Sequence, residues 1–93
     1  MVNNTWTAEF TDGYKYVDRV EYLGRNKYVF QSNDVTIELL TAEGWITCGI
    51  TSGASSGKYT TYDACKGAYA NQIKLTKEIW GALTFCGIIV HGN

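Results

Sequence analysis

The chain has 93 residues, of which 45% are hydrophobic and 18% charged, and its formal net charge is -1 at pH 7. This composition is typical of a globular protein, and the length predicts a single domain over residues 1–93. Lys and Arg are scattered singly along the chain, which argues against nucleic-acid binding because that needs a basic patch.

The first half of the chain predicts a meander of antiparallel strands. Apolar and polar side chains alternate along it, as they do in strands with one buried face. Asp12-Gly13 is a strong hairpin signal because Gly readily adopts a positive φ. Such short turns join neighbouring strands in an antiparallel manner. The predicted strands are Thr5–Phe10, Tyr14–Leu23, Lys27–Gln31, Val35–Leu40 and Trp45–Ile50.

The sequence after Ile50 predicts a Gly/Ser loop followed by one long helix, Thr61–Trp80. Thr60 and Asp63 form a helix-capping pattern at its start, and Gly81 is a typical helix stop. Seven side chains recur at three- and four-residue steps and would form one apolar stripe. They are Cys65, Ala68, Tyr69, Ile73, Thr76, Trp80 and Leu83.

The final run, Leu83–Val90, is apolar at both odd and even positions, which is typical of a central strand. The predicted fold class is therefore α+β. We expect an antiparallel meander sheet of five or six strands, with the helix at about 61–80 packed on one face. The C-terminal strand would return to that sheet.

The three cysteines, Cys48, Cys65 and Cys86, are widely spaced and include no C-x-x-C pair. Neither a zinc site nor a redox pair is indicated, so we expect reduced, buried cysteines in a cytoplasmic protein. His91 is the only histidine, and no metal or other cofactor is predicted. The nine carboxylates show no acid–base spacing, so the chain is not expected to be an enzyme.

Two segments bear on targeting and membranes. Met1–Glu9 lacks the basic start and apolar run of a secretory signal. The apolar run 82–90 is about half as long as a bilayer-spanning helix. We therefore expect no membrane partner.

The Gly/Ser loop is one candidate binding site. Backbone N–H groups before a helix, with a lysine beside them, would attract an anion. The loop differs from the phosphate loop G-x-x-x-x-G-K-[ST], because its first glycine is one residue too close and Tyr59 replaces the hydroxyl residue. The alternatives are binding of an anionic ligand such as a nucleotide, without catalysis, and a solvated connector. The ligand-binding candidates are Gly53, Ser55, Ser56, Gly57 and Lys58.

The tyrosines of the second and third predicted strands are the other candidate site. One helix cannot cover both faces of such a sheet, so a Tyr-bearing face would be left open. Tyr and Trp are enriched at interface hot spots, although the rings could equally serve only to cover that sheet face. The partner-binding candidates are Tyr14, Tyr16, Asp18, Arg19, Tyr22, Arg25, Lys27 and Tyr28.

The sequence thus predicts a small non-enzymatic protein-binding domain. Small cytoplasmic domains without evident relatives are common among virus-encoded inhibitors, so the predicted activity is blocking a host protein assembly by occluding its surface. In that case the location is the host cytoplasm. The alternatives are sequestration of an anionic ligand at the Gly/Ser loop and a homodimer with a structural role.

Overall fold

The computed structural model describes residues 5–24, 34–51, 59–77, 85 and 87–92. Within these ranges every regular element is a β-strand. The strands are β1 (Thr5–Glu9), β2 (Lys15–Val17), β3 (Arg19–Leu23), β4 (Val35–Thr41), β5 (Gly44–Ile50), β6 (Thr60–Tyr62), β7 (Ala68–Lys77) and β8 (Gly87–His91).

The strands form two antiparallel sheets. The large sheet has the order β1-β7-β4-β5, and β2 pairs with β7 on the same side as β1. The small sheet has the order β6-β3-β8. The ten-residue strand β7 is the longest of the described strands, and it pairs with β1, β2 and β4.

One hydrophobic core holds the two sheets together. Val20 and Tyr22 of the small sheet are buried in the same cluster as the apolar side chains of the large sheet. The ring of Phe85 lies 5.3 Å from the ring of Trp6 and 5.9 Å from that of Tyr22, so it links β1 to β3. The large-sheet members of the cluster are Val17, Val35, Ile37, Leu39, Cys48, Ala70, Ile73 and Leu75.

The predicted helix Thr61–Trp80 is wrong, and with it the α+β class. Residues 60–62 and 68–77 form strands, and no helix occurs in the described part of the chain. Ile73, Leu75 and Lys77 are buried whereas Lys74 and Thr76 between them are partly exposed, which is the two-residue period of a strand. The three- and four-residue steps that suggested a helix are coincidental, because Tyr69 and Thr76 point away from the core.

The predicted hairpin at Asp12-Gly13 is also wrong. β1 and β2 both run antiparallel to β7, β1 against Gln72–Thr76 and β2 against Ala68–Ala70. They are therefore consecutive segments of one sheet edge, and the residues between them, including Gly13 at φ 80°, form an excursion from that edge.

The predicted strand Tyr14–Leu23 is divided between the sheets at Asp18. The backbone N–H of Asp18 donates to the carbonyl of His91 at 2.7 Å, which brings the chain from β2 of the large sheet to β3 of the small one. Alternation restarts there, so Val17 and Val20 are both buried. The predicted single tyrosine face therefore does not exist.

Three other predictions have different outcomes. The β4–β5 hairpin is confirmed, with Gly44 at φ 118° after its turn. A strand does form near the C-terminus, but it belongs to the small sheet and pairs, among the described strands, only with β3. It is therefore not central. The predicted third strand, Lys27–Gln31, lies outside the described residues.

The expectation of reduced cysteines is wrong for two of the three. Cys48 of β5 and Cys65 of the β6–β7 turn form a disulfide across 17 residues, and both are buried. Strand order brings the two residues together, and this order cannot be read from their spacing. The bond links β5, at the edge of the large sheet, to the turn that follows β6 of the small sheet. Cys86 lies outside the described residues.

Candidate functional site on the outer face of the large sheet

The large sheet has one face against the core and one facing away from it. Ile37, Leu39, Ile73 and Leu75 are fully or almost fully buried, so their neighbours in β4 and β7 point to the opposite side. We call that side the outer face. The strand registers arrange twelve of its residues in three rows across β1, β7, β4 and β5. The rows are Thr5–Thr76–Thr36–Ile50, Thr7–Lys74–Glu38–Thr47 and Glu9–Gln72–Leu40–Trp45.

Two tyrosines extend the outer face beyond the third row. Tyr16 of β2 pairs with Tyr69 of β7, and their rings meet edge to face with 5.8 Å between centroids. Because the neighbouring Val17 and Ala70 are buried, both rings lie on the outer side. Tyr69 is 64% exposed, one of the highest exposures among large hydrophobic side chains in the described chain.

Exposed apolar side chains occur at the β5 edge of this face as well. Trp45 is 38% exposed and Ile50 is 58% exposed. Together with Tyr69 they place large apolar surface at three corners of the outer face. Single exposed hydrophobic residues are ordinary, but several on one sheet face are typical of interaction surfaces.

A charged pair lies between these corners. Lys74 Nζ is 3.6 Å from Glu38 Oε1 and 4.2 Å from the centre of the Trp45 ring. Both charged side chains are about three-quarters buried, so they are held more firmly than an exposed pair. The ammonium group over the indole favours one orientation of the Trp45 ring. The centre of the face therefore carries no unpaired charge from these residues.

A recess adjoins Tyr69 at the β4–β5 turn. Its volume is about 420 Å³, enough for a large side chain of a partner. The recess lies between the β4–β5 turn, which precedes Trp45, and the start of β7. Its lining residues are Thr41, Ala42, Glu43, Ile46, Gly67, Ala68 and Tyr69.

The predicted partner-binding residues are distributed over several surfaces. Tyr14 is exposed in the connection between β1 and β2, and Tyr16 lies on the outer face. Tyr22 is only 3% exposed and belongs to the core. Arg25, Lys27 and Tyr28 lie outside the described residues.

Asp18 and Arg19 belong to a charged cluster on the small sheet. Arg19 Nη1 is 2.7 Å from Asp18 Oδ2, and Lys66 Nζ is 3.6 Å from Asp18 Oδ1. The hydrogen bond from Arg19, aided by the charge of Lys66, lowers the pKa of Asp18. Arg19 also approaches Glu21, which contacts His91 Nε2. Asp18, Arg19, Lys66 and Glu21 pair with one another, so the cluster is best explained as an ion-pair network.

The predicted anion site is the Gly/Ser loop. Gly53, Ser55, Ser56, Gly57 and Lys58 all lie outside the described residues. Its physical basis has nonetheless changed, because the segment after the loop is strand β6 and not a helix N-terminus. The helix dipole invoked for anion binding is therefore missing.

Trp45 and Tyr69, the main exposed rings of the outer face, were not among the predicted site residues. Tyr69 was assigned to the apolar stripe of a helix, and the orientation of Trp45 depends on its register with β4. A usable signal for a strand was present in the run Gln72–Thr76, where polar and apolar residues alternate. Strict alternation would still have placed Tyr69 on the buried side with Ile73 and Leu75; the register shift between Leu40 and Thr41 opposite β7 reverses its face.

Comparison with protein-family models, with curated proteins and with solved structures finds no match to this chain. The described residues include no group of three or more His, Cys, Asp or Glu side chains that could hold a metal ion. They also include no helix of sufficient length and apolarity to cross a membrane.

Proposed function

We propose that the chain is a non-enzymatic protein-binding domain that contacts its partner through the outer face of the large sheet. The observation that supports this is the exposure of Trp45, Ile50 and Tyr69 on one face. Trp and Tyr bring a large contact area and a polar tip with few rotatable bonds, and they are enriched at binding hot spots.

The geometry favours a flat contact with a few anchors. Tyr69, supported by Tyr16, and Trp45, supported by Lys74, would bury against the partner. Glu38 already pairs with Lys74, so a partner that covers both side chains leaves no unpaired charge buried. The dipole of this ion pair favours one docking orientation. The recess beside Tyr69 would accept a protruding side chain.

The size of the face favours a small, transient interface. Four strands spaced about 4.8 Å apart and seven residues long cover roughly 20 by 24 Å. This is about half the area per partner of a standard interface, so we expect a transient complex with micromolar affinity. On this proposal the protein inhibits an assembly by covering a surface that the assembly needs, as the sequence predicted for a viral inhibitor of a host complex.

The cellular location is a separate part of the proposal. The Cys48–Cys65 disulfide favours a compartment that supports disulfide formation, because cytoplasmic thiols are kept reduced. We therefore place the working form of the protein in an oxidising compartment or outside the cell, in preference to the cytoplasm predicted from the sequence.

Capture experiments with matched variants test the binding proposal. The baits are the wild type, Tyr69→Ala and Trp45→Ala, with Ile89→Ala as the control, since Ile89 is an exposed apolar residue of the small sheet. We expect the wild type and Ile89→Ala to retain the same proteins, and the two outer-face variants to lose them. Equal capture by all four baits would refute the assignment of the face.

A further inference from the structure

The recess at the β4–β5 turn carries a negative charge. Glu43 is the only charged residue among the described residues that line it, and Glu43 is exposed. Within the described part of the chain Glu43 takes part in no ion pair. Lys66, which precedes Gly67 in the chain, lies 3.6 Å from Asp18 instead. The recess therefore offers a carboxylate to a cation that comes from another molecule.

Hydrogen bonds hold the turn that carries Glu43 in one conformation. The Thr41 hydroxyl donates to the carbonyl of Gly44 at 2.9 Å and accepts from the backbone N–H of Glu43 at 3.1 Å. Such bonds between side chain and backbone fix a turn without the help of a ligand. A preformed site requires less ordering on binding, and this favours affinity.

The other residues of the recess leave room for a long side chain and provide apolar and aromatic contacts. The volume is about 420 Å³, and a Cβ at Gly67 would meet no described atom within 4 Å beyond its chain neighbours. Ala42 and Ala68 are small, and Ile46 packs against the core. Tyr69, which is 64% exposed, also lines the recess. Methylene groups pack well on such apolar residues, and an aromatic ring attracts a cation.

An arginine side chain combines the properties that these groups select. Its guanidinium group is planar, forms paired hydrogen bonds with a carboxylate and stacks on aromatic rings. Its methylene groups suit an apolar wall. The ammonium group of lysine is a more strongly hydrated point charge, so it gains less from one carboxylate and one ring.

We propose that the recess binds an arginine side chain of the partner protein, with the guanidinium group paired with the Glu43 carboxylate and close to the Tyr69 ring. The inference rests on the proposed function, because it names the chemistry by which the partner of the outer face is recognised. It can nonetheless fail alone, since the outer face can bind a partner that has no arginine at this position.

Titration of the isotope-labelled wild type with Nα-acetylarginine amide, followed by nuclear magnetic resonance, tests the recess without the partner. We expect saturable shifts of the backbone amides of Ala42, Glu43 and Ala68, with a Kd of about 1–10 mM because a single side chain binds weakly. Nα-acetylcitrulline amide has the same shape without the charge, so it should bind about tenfold more weakly. Nα-acetyl-lysine amide should also bind more weakly than the arginine derivative.

Two variants test the role of the carboxylate. Glu43→Gln removes the charge and keeps the shape of the side chain, so the affinity for Nα-acetylarginine amide should fall about fivefold. Asp34→Asn is the matched control, because it removes an exposed carboxylate at the opposite end of β4 and Asn tolerates the positive φ of this residue. It should bind as the wild type does. The amide spectrum shows whether each variant is folded, and should Glu43→Gln fail to fold, the comparison of arginine with citrulline decides on the wild type alone.

The proposal is overturned if Nα-acetylarginine amide causes no saturable shift at the recess, or if the citrulline or lysine derivative binds as tightly. An unchanged affinity of folded Glu43→Gln would overturn it as well. The capture experiment with Tyr69→Ala separates this failure from that of the proposed function. If Tyr69→Ala loses the captured proteins while the recess binds no arginine derivative, the outer face binds its partner by another chemistry. If the recess binds the arginine derivative while Tyr69→Ala captures the same proteins as the wild type, the assignment of the arginine to the partner fails together with the proposed function.

Discussion

Loss of the Cys48–Cys65 disulfide should destabilise the protein by an amount that follows from its position in the chain. The bond closes a loop of 17 residues. A cross-link of that span lowers the entropy of the unfolded chain by roughly 10 cal/mol/K, which stabilises the folded state by about 3 kcal/mol at 25 °C. A domain of 93 residues has an unfolding entropy of roughly 0.2 kcal/mol/K, so the melting temperature should fall by about 15 °C.

Thermal and urea unfolding with and without a reducing agent measure this loss. Reduction of the wild type is preferable to mutation for the magnitude, since it removes the bond without opening a cavity at two buried side chains. Cys86→Ala should respond to the reductant as the wild type does. Cys48→Ala/Cys65→Ala should not respond to it.

Thiol labelling under denaturing, non-reducing conditions provides the independent control. One of the three cysteines, Cys86, should react before reduction, and all three afterwards. Three reactive thiols in the untreated protein would show that the bond is not formed. If the bond is present but its reduction costs less than about 1 kcal/mol, the loop-entropy argument fails.

Three further predictions concern the core, the sheet packing and the charged cluster. Tyr22→Ala removes a buried ring from the core and should lower the free energy of unfolding by about 3–5 kcal/mol in urea denaturation; a loss below about 1 kcal/mol would mean that Tyr22 is exposed. Gly49→Ala would place a Cβ 2.6 Å from Tyr62 Cδ1, so we expect the free energy of unfolding in urea to fall by about 1–3 kcal/mol. An unchanged urea midpoint would contradict the close approach of the two sheets at this point. The pKa of Asp18 is lowered in the folded state by Arg19 and Lys66, so the contribution of Asp18 to stability is present above about pH 4 and is lost as the pH falls through the folded pKa. The melting temperature of Asp18→Asn should therefore depend less on pH in the acid range than that of the wild type. Parallel curves of melting temperature against pH for the variant and the wild type would refute this.

Local pattern was enough to predict some elements of the fold. The strict alternation of Val35–Leu40 and the Gly-bearing turn before Trp45 identified β4 and β5 as a hairpin. The segment 61–80 was ambiguous, because it contains three- and four-residue steps at Cys65, Ala68 and Tyr69 and two-residue steps from Ile73 onwards. The capping pattern at Thr60 and Asp63 decided the interpretation wrongly in favour of a helix.

Strand order and disulfide pairing depend on contacts between distant parts of the chain. β7 lies between β1 and β4, and the residues that it pairs with on these strands are between 29 (Thr41 with Ala70) and 71 (Thr5 with Thr76) positions away in the sequence. No local pattern reports such pairings. The faces of individual side chains depend on them too, which is why Tyr16 was predicted as a partner-binding residue whereas Trp45 and Tyr69 were not.

The same dependence explains why Tyr22 was misplaced. Tyr16 and Tyr22 have the same parity, but the chain crosses from one sheet to the other at Asp18, and alternation does not continue through such a crossing. One ring therefore lies on the outer face and the other in the core.

The central claim is that the outer face of the large sheet binds a protein partner. Its most direct test is isothermal titration of the partner retained in the capture experiment against the wild type, Tyr69→Ala and Ile89→Ala. Tyr69 is largely exposed, so its replacement should change the free energy of unfolding by about 1 kcal/mol or less. If it is a hot spot, the affinity of Tyr69→Ala should fall about thirtyfold, with Ile89→Ala unchanged. Unchanged affinity for Tyr69→Ala, or an equal loss for Ile89→Ala, would contradict the account.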